Sequence, residues 1–114
     1  MSPSPFFKIE VYAPEDSVDE LLGALARAHA GEIGRYDYCA SVLPVQGCWR
    51  PLEGAKPLLG NIGELFTGEE MKIEMLCREE YLHEAIHAVR EAHPYEEPVI
   101  NIIPLANTRY NGTV

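Results

Sequence analysis

The chain has 114 residues, of which 46% are hydrophobic and 24% are charged. This size and composition are those of one globular domain with a single core. Nine lysines and arginines against eighteen acidic residues give a net charge of −9, which repels phosphate backbones and anionic membranes. We therefore expect neither nucleic acid nor a membrane among the partners.

The N-terminal segment and the cysteines indicate a cytoplasmic protein. The first residues lack the basic and apolar regions of a secretory signal, and no apolar run approaches the ~20 residues of a membrane span. Cys39, Cys48 and Cys77 are odd in number and form no CxxC pair. Because all three lie in stretches with strand character, we interpret them as buried thiols in a reducing compartment.

The first half of the chain predicts a strand, a helix and a second strand. Residues 6–12 alternate between apolar and polar side chains, as in a half-buried strand. Ser17 and Glu20 have the spacing of a capping box, which predicts the start of a helix that ends near residue 29. Residues 36–48 alternate again, and Pro44 within them indicates an edge strand or a bulge.

The second half predicts a long loop followed by a strand, a helix and a last strand. Residues 48–68 contain too many prolines and glycines for a long regular element. Alternation predicts a strand over residues 71–77, and an apolar stripe predicts a helix over residues 79–92. Residues 99–105 are rich in β-branched side chains and form the fourth predicted strand.

The order β-α-β-β-α-β predicts an α+β fold of the ferredoxin-like kind. Right-handed crossovers then place both helices on one face of an antiparallel sheet. We assign residues 1–5 to a disordered N-terminus, residues 6–105 to the single domain, and residues 106–114 to a flexible tail.

The other face of this sheet is predicted to lack helices. Its residues must meet water, a loop or another subunit. Tyr36, Tyr38, Trp49 and the long loop are candidates to cover it. Since an open apolar face is a liability, we expect self-association through sheet faces or edges.

The long loop is the first candidate binding site. Long irregular loops in compact domains are often functional. Glycines such as Gly54 and Gly60 allow backbone to approach a ligand, and Arg50 with Lys56 could hold an anion. Trp49 is the apolar member of this candidate site. The alternative is a structural loop that Trp49 packs against the domain.

The turn after the second helix is the second candidate site. His93 falls on the inner stripe of that helix, and Tyr95, Glu96 and Glu97 follow in the turn. A histidine beside two carboxylates could bind a divalent metal, with His93 and Glu96 as its ligands, or a cationic ligand. The alternative is a partly buried histidine that caps the helix and pairs with Glu96.

His83 and His87 are a weaker candidate for a metal site. His83 and His87 are four residues apart on the predicted helix, a spacing that can place two imidazoles on one metal. No third ligand is in register with them, so we interpret both as surface residues. The sequence also lacks an HExxH pattern, a nucleophile elbow and a Walker loop.

Residues 47–64 and 93–105 carry a resemblance to a known family. The pattern includes Gly54-Ala55-x-Pro57-x-x-Gly60, then His93-Pro94-Tyr95-Glu96-Glu97, and finally Pro104-Leu105. On these motifs the chain resembles the NIF-three-like family of dinuclear-metal-centre proteins, specifically the insert domain of its longer members as a stand-alone protein. The likeness spans nearly the whole chain.

The resemblance implies a PII-like or CutA-like domain that associates as a homotrimer. It also implies a regulatory or ligand-sensing role with clefts between subunits. The two-metal site of the family lies in flanking domains whose ligands have no counterpart here, which argues against a metal-dependent hydrolase activity. The basic residues of the PII nucleotide loop are also unmatched.

Two functional hypotheses follow. The first is a homotrimeric binding or sensing module for a small molecule or a protein, with its site between the loop and the turn, and no catalysis of its own. The second is a CutA-like metal-binding protein or a small metal-dependent enzyme that uses His93, Glu96 and Glu97 as ligands. The identity of the ligand or cofactor stays open at this point.

Overall fold

The computed structural model describes residues 5–111, without the side chain of residue 111. The expectations for residues 1–4 and 112–114 lie outside this range. The strands are β1 (Phe6–Ala13), β2 (Ser41–Trp49), β3 (Phe66–Arg78) and β4 (Ile100–Pro104), and the helices are α1 (Val18–Arg27), α2 (Leu82–Ala92) and α3 (Asn107–Asn111). Short 3-10 turns, Glu15–Ser17 and Glu79–Tyr81, precede α1 and α2.

The four strands form one antiparallel sheet in the order β2-β3-β1-β4. Helices α1 and α2 each connect two strands that are not neighbours in the sheet, as two crossovers require. The ferredoxin-like α+β fold predicted from the sequence is therefore confirmed. Pro44 lies in β2 at the edge of the sheet, which is one of the two positions predicted for it and one where proline is tolerated.

The core lies between the sheet and the two long helices. Ile9, Val11 and Ile73 are fully buried on the sheet side, and Leu25 of α1 and Val89 of α2 are fully buried opposite them. Burying one such aliphatic side chain contributes about 1.5–3 kcal/mol. Both long helices cover this face of the sheet, so the loops can pack only against the opposite face.

The other face of the sheet is charged at its centre and not apolar as predicted. Nζ of Lys72 lies 3.2 Å from Glu10 and 3.0 Å from Glu74, and Nζ of Lys8 lies 3.2 Å from Glu10. Burial raises the pKa of Glu10, but hydrogen bonds from Lys8, Asn101 and Lys72 outweigh it and lower the pKa overall. The network neutralises the carboxylates at the centre of this face.

The segment after α1 is a turn and not the start of β2. Gly31 and Gly34 have φ values of 77° and 57° and reverse the chain, and Tyr38 has a φ of 56°. Such left-handed residues end the alternation that suggested a strand. Tyr36 is 75% exposed, and a Cβ added to Gly23 of α1 would meet the Tyr38 hydroxyl at 3.8 Å. Tyr38 therefore lies beside α1, so it does not cover the open face.

Strand β3 begins five residues earlier than predicted. Gly68 suggested a loop, but it pairs with Gly47 of β2 in regular register. A Cβ at Gly68 would lie 2.8 Å from the ring of Phe66. The glycine is therefore a packing requirement of that ring, which lies over the strand.

Local details at the termini and the cysteines also differ from the predictions. The Ser17 side chain makes no capping hydrogen bond, because a 3-10 turn with Ser17 N–H bonded to the Pro14 carbonyl leads into α1. Of the cysteines, Cys77 is buried, whereas Cys39 is partly buried and Cys48 is exposed. The interpretation as a buried thiol is therefore right for Cys77, which belongs to the core, and wrong for Cys48.

Both ends of the described range are ordered by backbone contacts. The Glu79 N–H donates to the carbonyl of Pro5 at 2.7 Å. In the part predicted to be a flexible tail, Asn107–Asn111 forms a short helix. Within residues 5–111, none of the helices has the length and apolar character of a membrane span.

Candidate functional site

The loop between β2 and β3 folds back over the end of this hairpin. Trp49 packs on Phe66 with ring centroids 4.6 Å apart, and its Nε1 donates to the Leu59 carbonyl at 3.1 Å. The Gly63 N–H donates to the Pro51 carbonyl at 2.8 Å. These contacts give a loop rich in proline and glycine a defined shape.

Gly60 allows this close approach. Its φ of 96° is in the region that favours glycine. An added Cβ would meet Phe66 Cβ, Pro51 Cγ and Trp49 Nε1 at 3.3 to 3.5 Å. Gly54 also has a positive φ, of 92°, but its surroundings are open. Gly60 therefore helps to shape the loop, whereas Gly54 only turns it.

His93 is buried at the end of α2, as predicted, but its partners are different. Its Nε2 lies 2.6 Å from the Tyr12 carbonyl oxygen, and its Nδ1 accepts from the Tyr95 N–H at 3.1 Å. A carbonyl only accepts, so the ring is neutral with its proton on Nε2. Burial lowers the pKa of His93. The predicted pair with Glu96 does not form.

The turn that follows His93 is attached to the hairpin by two contacts. The Tyr95 hydroxyl donates to Glu70 Oε2 at 3.0 Å, and the Tyr95 ring lies 5.7 Å from that of Trp49. Burial and the Glu70 carboxylate raise the pKa of Tyr95. The Lys56 N–H donates to Glu96 Oε1 at 2.9 Å. The two segments singled out in the sequence are thus adjacent.

A cavity of about 700 Å³ lies between the loop and the turn. This is within the range of small-molecule sites. Its apolar wall includes Tyr12, Trp49, Pro51, Leu58, Tyr95 and Val99. Its polar lining consists of Cys48, Arg50, Glu70, Glu96, Glu97 and Asn101.

Five of the nine predicted site residues line this cavity, namely Trp49, Arg50, Tyr95, Glu96 and Glu97. The other four, Gly54, Lys56, Gly60 and His93, are outside the lining. Lys56 contributes only its backbone N–H, which donates to the Glu96 carboxylate beside the cavity. His93 supports the site indirectly, because its Nδ1 accepts a hydrogen bond from the backbone N–H of Tyr95, which lines the cavity.

Sequence reasoning missed Tyr12, Glu70 and Asn101. They lie on β1, β3 and β4, and the sheet register brings them to the open face. Glu70 lies in β3, but between the predicted loop, residues 48–68, and the predicted strand, residues 71–77. The alternation of Phe66, Gly68 and Glu70 was the available signal for it.

The polar lining has a negative balance. Three carboxylates, on Glu70, Glu96 and Glu97, face the cavity with the single guanidinium of Arg50. The Lys56 side chain is not part of the lining. An anion held jointly by Arg50 and Lys56, as considered from the sequence, is therefore disfavoured by Coulomb repulsion.

The geometry does not favour a metal on His93 and Glu96. Both ring nitrogens of His93 are used in hydrogen bonds, and Glu96 Oε1 accepts from Lys56. Across residues 5–111, no three histidine, cysteine or acidic side chains are grouped as metal ligands. His83 and His87 are both exposed on α2, in agreement with the surface interpretation.

The comparisons with known proteins point to one family. The GTP cyclohydrolase 1 type 2 homolog of Halalkalibacterium halodurans is 40% identical over 101 residues, which cover 89% of this chain and 27% of that protein. The Bacillus cereus protein related to NIF3 superposes with a TM-score of 0.80 at 32% identity, over 93% of this chain and 28% of that one. The predicted resemblance to the NIF-three-like family is confirmed. No family model matches the chain.

The chain corresponds to one segment of its NIF-three-like relatives. It spans 27% and 28% of the lengths of the two proteins just described. The PII-like protein CutA of Nostoc has the same fold, with a TM-score of 0.67 at 17% identity over 95% of this chain and 86% of that one. The PII-like and CutA-like character of the fold is therefore also confirmed.

The hydrogen bond from the Lys56 N–H to Glu96, which joins the loop to the turn, can be tested by hydrogen exchange. Glu96→Ala removes the acceptor of the Lys56 N–H, and we expect this amide to exchange about fivefold faster, which is the effect of losing one exposed hydrogen bond. Glu97→Ala is the matched control because it removes the same charge from the next residue. Equal exchange of the Lys56 amide in both variants would show that Glu96 does not hold the loop.

Proposed function

We propose that this chain is a ligand-binding or regulatory module whose site is the cavity between the loop and the turn. The observation that carries the proposal is the cavity itself, which has aromatic walls and a few convergent polar groups. This combination is typical of small-molecule sites. The contacts of Trp49 with Leu59 and Phe66 support a cavity that exists before a ligand binds.

The proposal includes self-association as a homotrimer. The resemblance to PII-like and CutA-like domains supports it, as does a group of exposed apolar side chains on the loop and on the cavity wall. These are Leu52, Leu58, Ile62, Leu65 and Val99, each 46 to 67% exposed. Exposed apolar side chains in such number mark interaction surfaces when they lie together. The cavity would then lie beside a subunit interface.

Native mass spectrometry of the untagged protein tests both parts of this proposal. We expect a trimer that carries additional mass, since one spectrum reports the number of subunits and any retained ligand. Trp49→Ala should lose the additional mass, because it removes one aromatic wall. Tyr36→Ala, which removes an aromatic side chain that is 75% exposed and outside the lining, should retain it. A bare monomer that also fails to bind added ligands would overturn the proposal.

The metal-binding alternative receives no specific support from the geometry of His93 and Glu96. The cyclohydrolase name belongs to a relative of which this chain covers 27%, and we do not extend that activity to the chain. Cytoplasmic residence remains part of the proposal. It is supported by Cys39, Cys48 and Cys77, which are all free thiols.

A further inference from the structure

We propose that the cavity selects a small organic cation, in which an ammonium or amidinium group is carried on a flat or apolar body. This inference rests on the proposed function, because it names the ligand class of the same cavity. It follows from a buried carboxylate, the aromatic walls and the charge of the rim.

Glu70 is the buried carboxylate. It is 7% exposed and lines the cavity. Its Oε2 accepts from the Tyr95 hydroxyl, and within residues 5–111 no lysine, arginine or histidine forms an ion pair with it. A buried carboxylate without a counter-ion is costly. A cationic ligand would supply the missing charge.

Glu10 is the internal comparison for Glu70, because it is an equally buried carboxylate outside the cavity lining. It is also 7% exposed on the same face of the sheet. Two lysines neutralise it, since Lys8 and Lys72 each lie 3.2 Å from its Oε2. The fold thus neutralises one buried glutamate internally and leaves the other open to the cavity.

The walls favour a cation with an apolar body over a bare metal ion. Tyr12, Trp49 and Tyr95 contribute aromatic rings, and prolines and leucines complete the surface. Faces of aromatic rings attract organic cations. The apolar wall would pack against the body of the ligand while the carboxylate meets its charged end.

The rim and the backbone around Glu70 support the same assignment. Glu96 and Glu97 are exposed at the edge of the cavity, and together with the net charge of −9 they attract cations. A Cβ at Gly47 would collide with Glu70 Oε1. The absence of a side chain at Gly47 therefore lets the carboxylate stay in its place.

Three probes of matched shape test the charge selection. They are 2-phenylethylamine, which is cationic at pH 7, 2-phenylethanol, which is neutral, and 3-phenylpropionate, which is anionic. Trp49 is the only tryptophan of the chain and lines the cavity, so its fluorescence excited at 295 nm reports on a ligand bound there. We expect saturable binding of the amine, with at least about tenfold weaker binding of the alcohol and the acid.

Glu70→Gln then tests the residue. The amide keeps the size of the side chain and can still accept from Tyr95, and we expect the affinity for the amine to fall about tenfold. Glu20→Gln on the exposed face of α1 changes the net charge equally and should leave the affinity unchanged. Thermal melts show whether each variant folds. If Glu70→Gln does not fold, the order of affinities of the natural protein for the amine, the alcohol and the acid tests the charge selection by itself.

The outcomes separate this inference from the proposed function. If the three probes bind equally well, or if Glu70→Gln binds the amine like the natural protein, the cation assignment is wrong while the cavity remains a binding site. If the acid binds best, the assignment is also wrong. If no probe changes the fluorescence of Trp49, the cation assignment falls, and native mass spectrometry alone decides whether the cavity binds another ligand.

Discussion

Gly31→Ala is expected to destabilise the fold by about 3 kcal/mol. The φ of Gly31 is 77°, and a side chain in this left-handed region costs about 1–2 kcal/mol. The added Cβ would also lie 2.9 Å from Met75 Cε and 3.0 Å from the Cys39 carbonyl oxygen. Overpacking of this kind adds about 1–3 kcal/mol. Denaturant unfolding followed by circular dichroism measures the loss.

The position of Gly31 explains why the chain has little freedom to adjust. Its N–H donates to the Leu76 carbonyl at 2.8 Å, and its carbonyl accepts from the Cys39 N–H at 2.9 Å. The residue therefore joins the turn after α1 to strand β3. Moving it to relieve the clash would break contacts on both sides.

Gly34→Ala is the matched control for this effect. Gly34 also has a positive φ, of 57°, but no atom lies within 4 Å of its added Cβ. We expect only the conformational cost, about 1 kcal/mol. The difference between the two variants measures the steric part. Equal losses would mean that the packing around Gly31 relaxes freely.

His93→Ala is expected to cost about 3 kcal/mol and to change how stability depends on pH. The variant leaves the Tyr12 carbonyl and the Tyr95 N–H without their partner, and each such loss costs about 1–3 kcal/mol when the group is buried. It also removes a buried ring. His83→Ala on the exposed side of α2 should change stability by less than about 0.5 kcal/mol.

The pH dependence follows from the direction of the pKa shift. Burial lowers the pKa of His93 in the folded state below its ordinary value, so the unfolded chain binds more protons near pH 6. The contribution of His93 to stability is therefore fully present above about pH 6.5 and is lost as the pH falls through the folded pKa. The contribution of His29 changes with pH in the opposite direction, because its hydrogen bond with Glu32 raises its pKa in the folded state.

Unfolding free energies measured between pH 5 and 8 check this prediction. The natural protein should lose stability on acidification more steeply than His93→Ala. His83→Ala should keep the steep dependence. A slope that is unchanged in His93→Ala would show that other groups produce it and that His93 is not held neutral.

Much of the candidate site could be recognised from sequence because most of its lining comes from two continuous segments. The loop and the turn stand out by their prolines, glycines and charged residues, and the helical stripe correctly placed His93 on the inside. The partners of His93 could not be predicted, because Tyr12 is 81 residues away. That contact depends on how α2 ends over β1.

The sequence by itself determined the order of the four strands and the two long helices and the antiparallel ferredoxin-like sheet, and it limited Pro44 to an edge strand or a bulge. These follow from local periodicity and from the backbone limits of proline, which act within a few residues. Only the tertiary structure decided that Glu10 is paired with lysines while Glu70 faces the cavity. The physical reason is the register of β1, β2 and β3, which sets the cross-strand neighbours of each carboxylate and is itself determined by packing between distant segments.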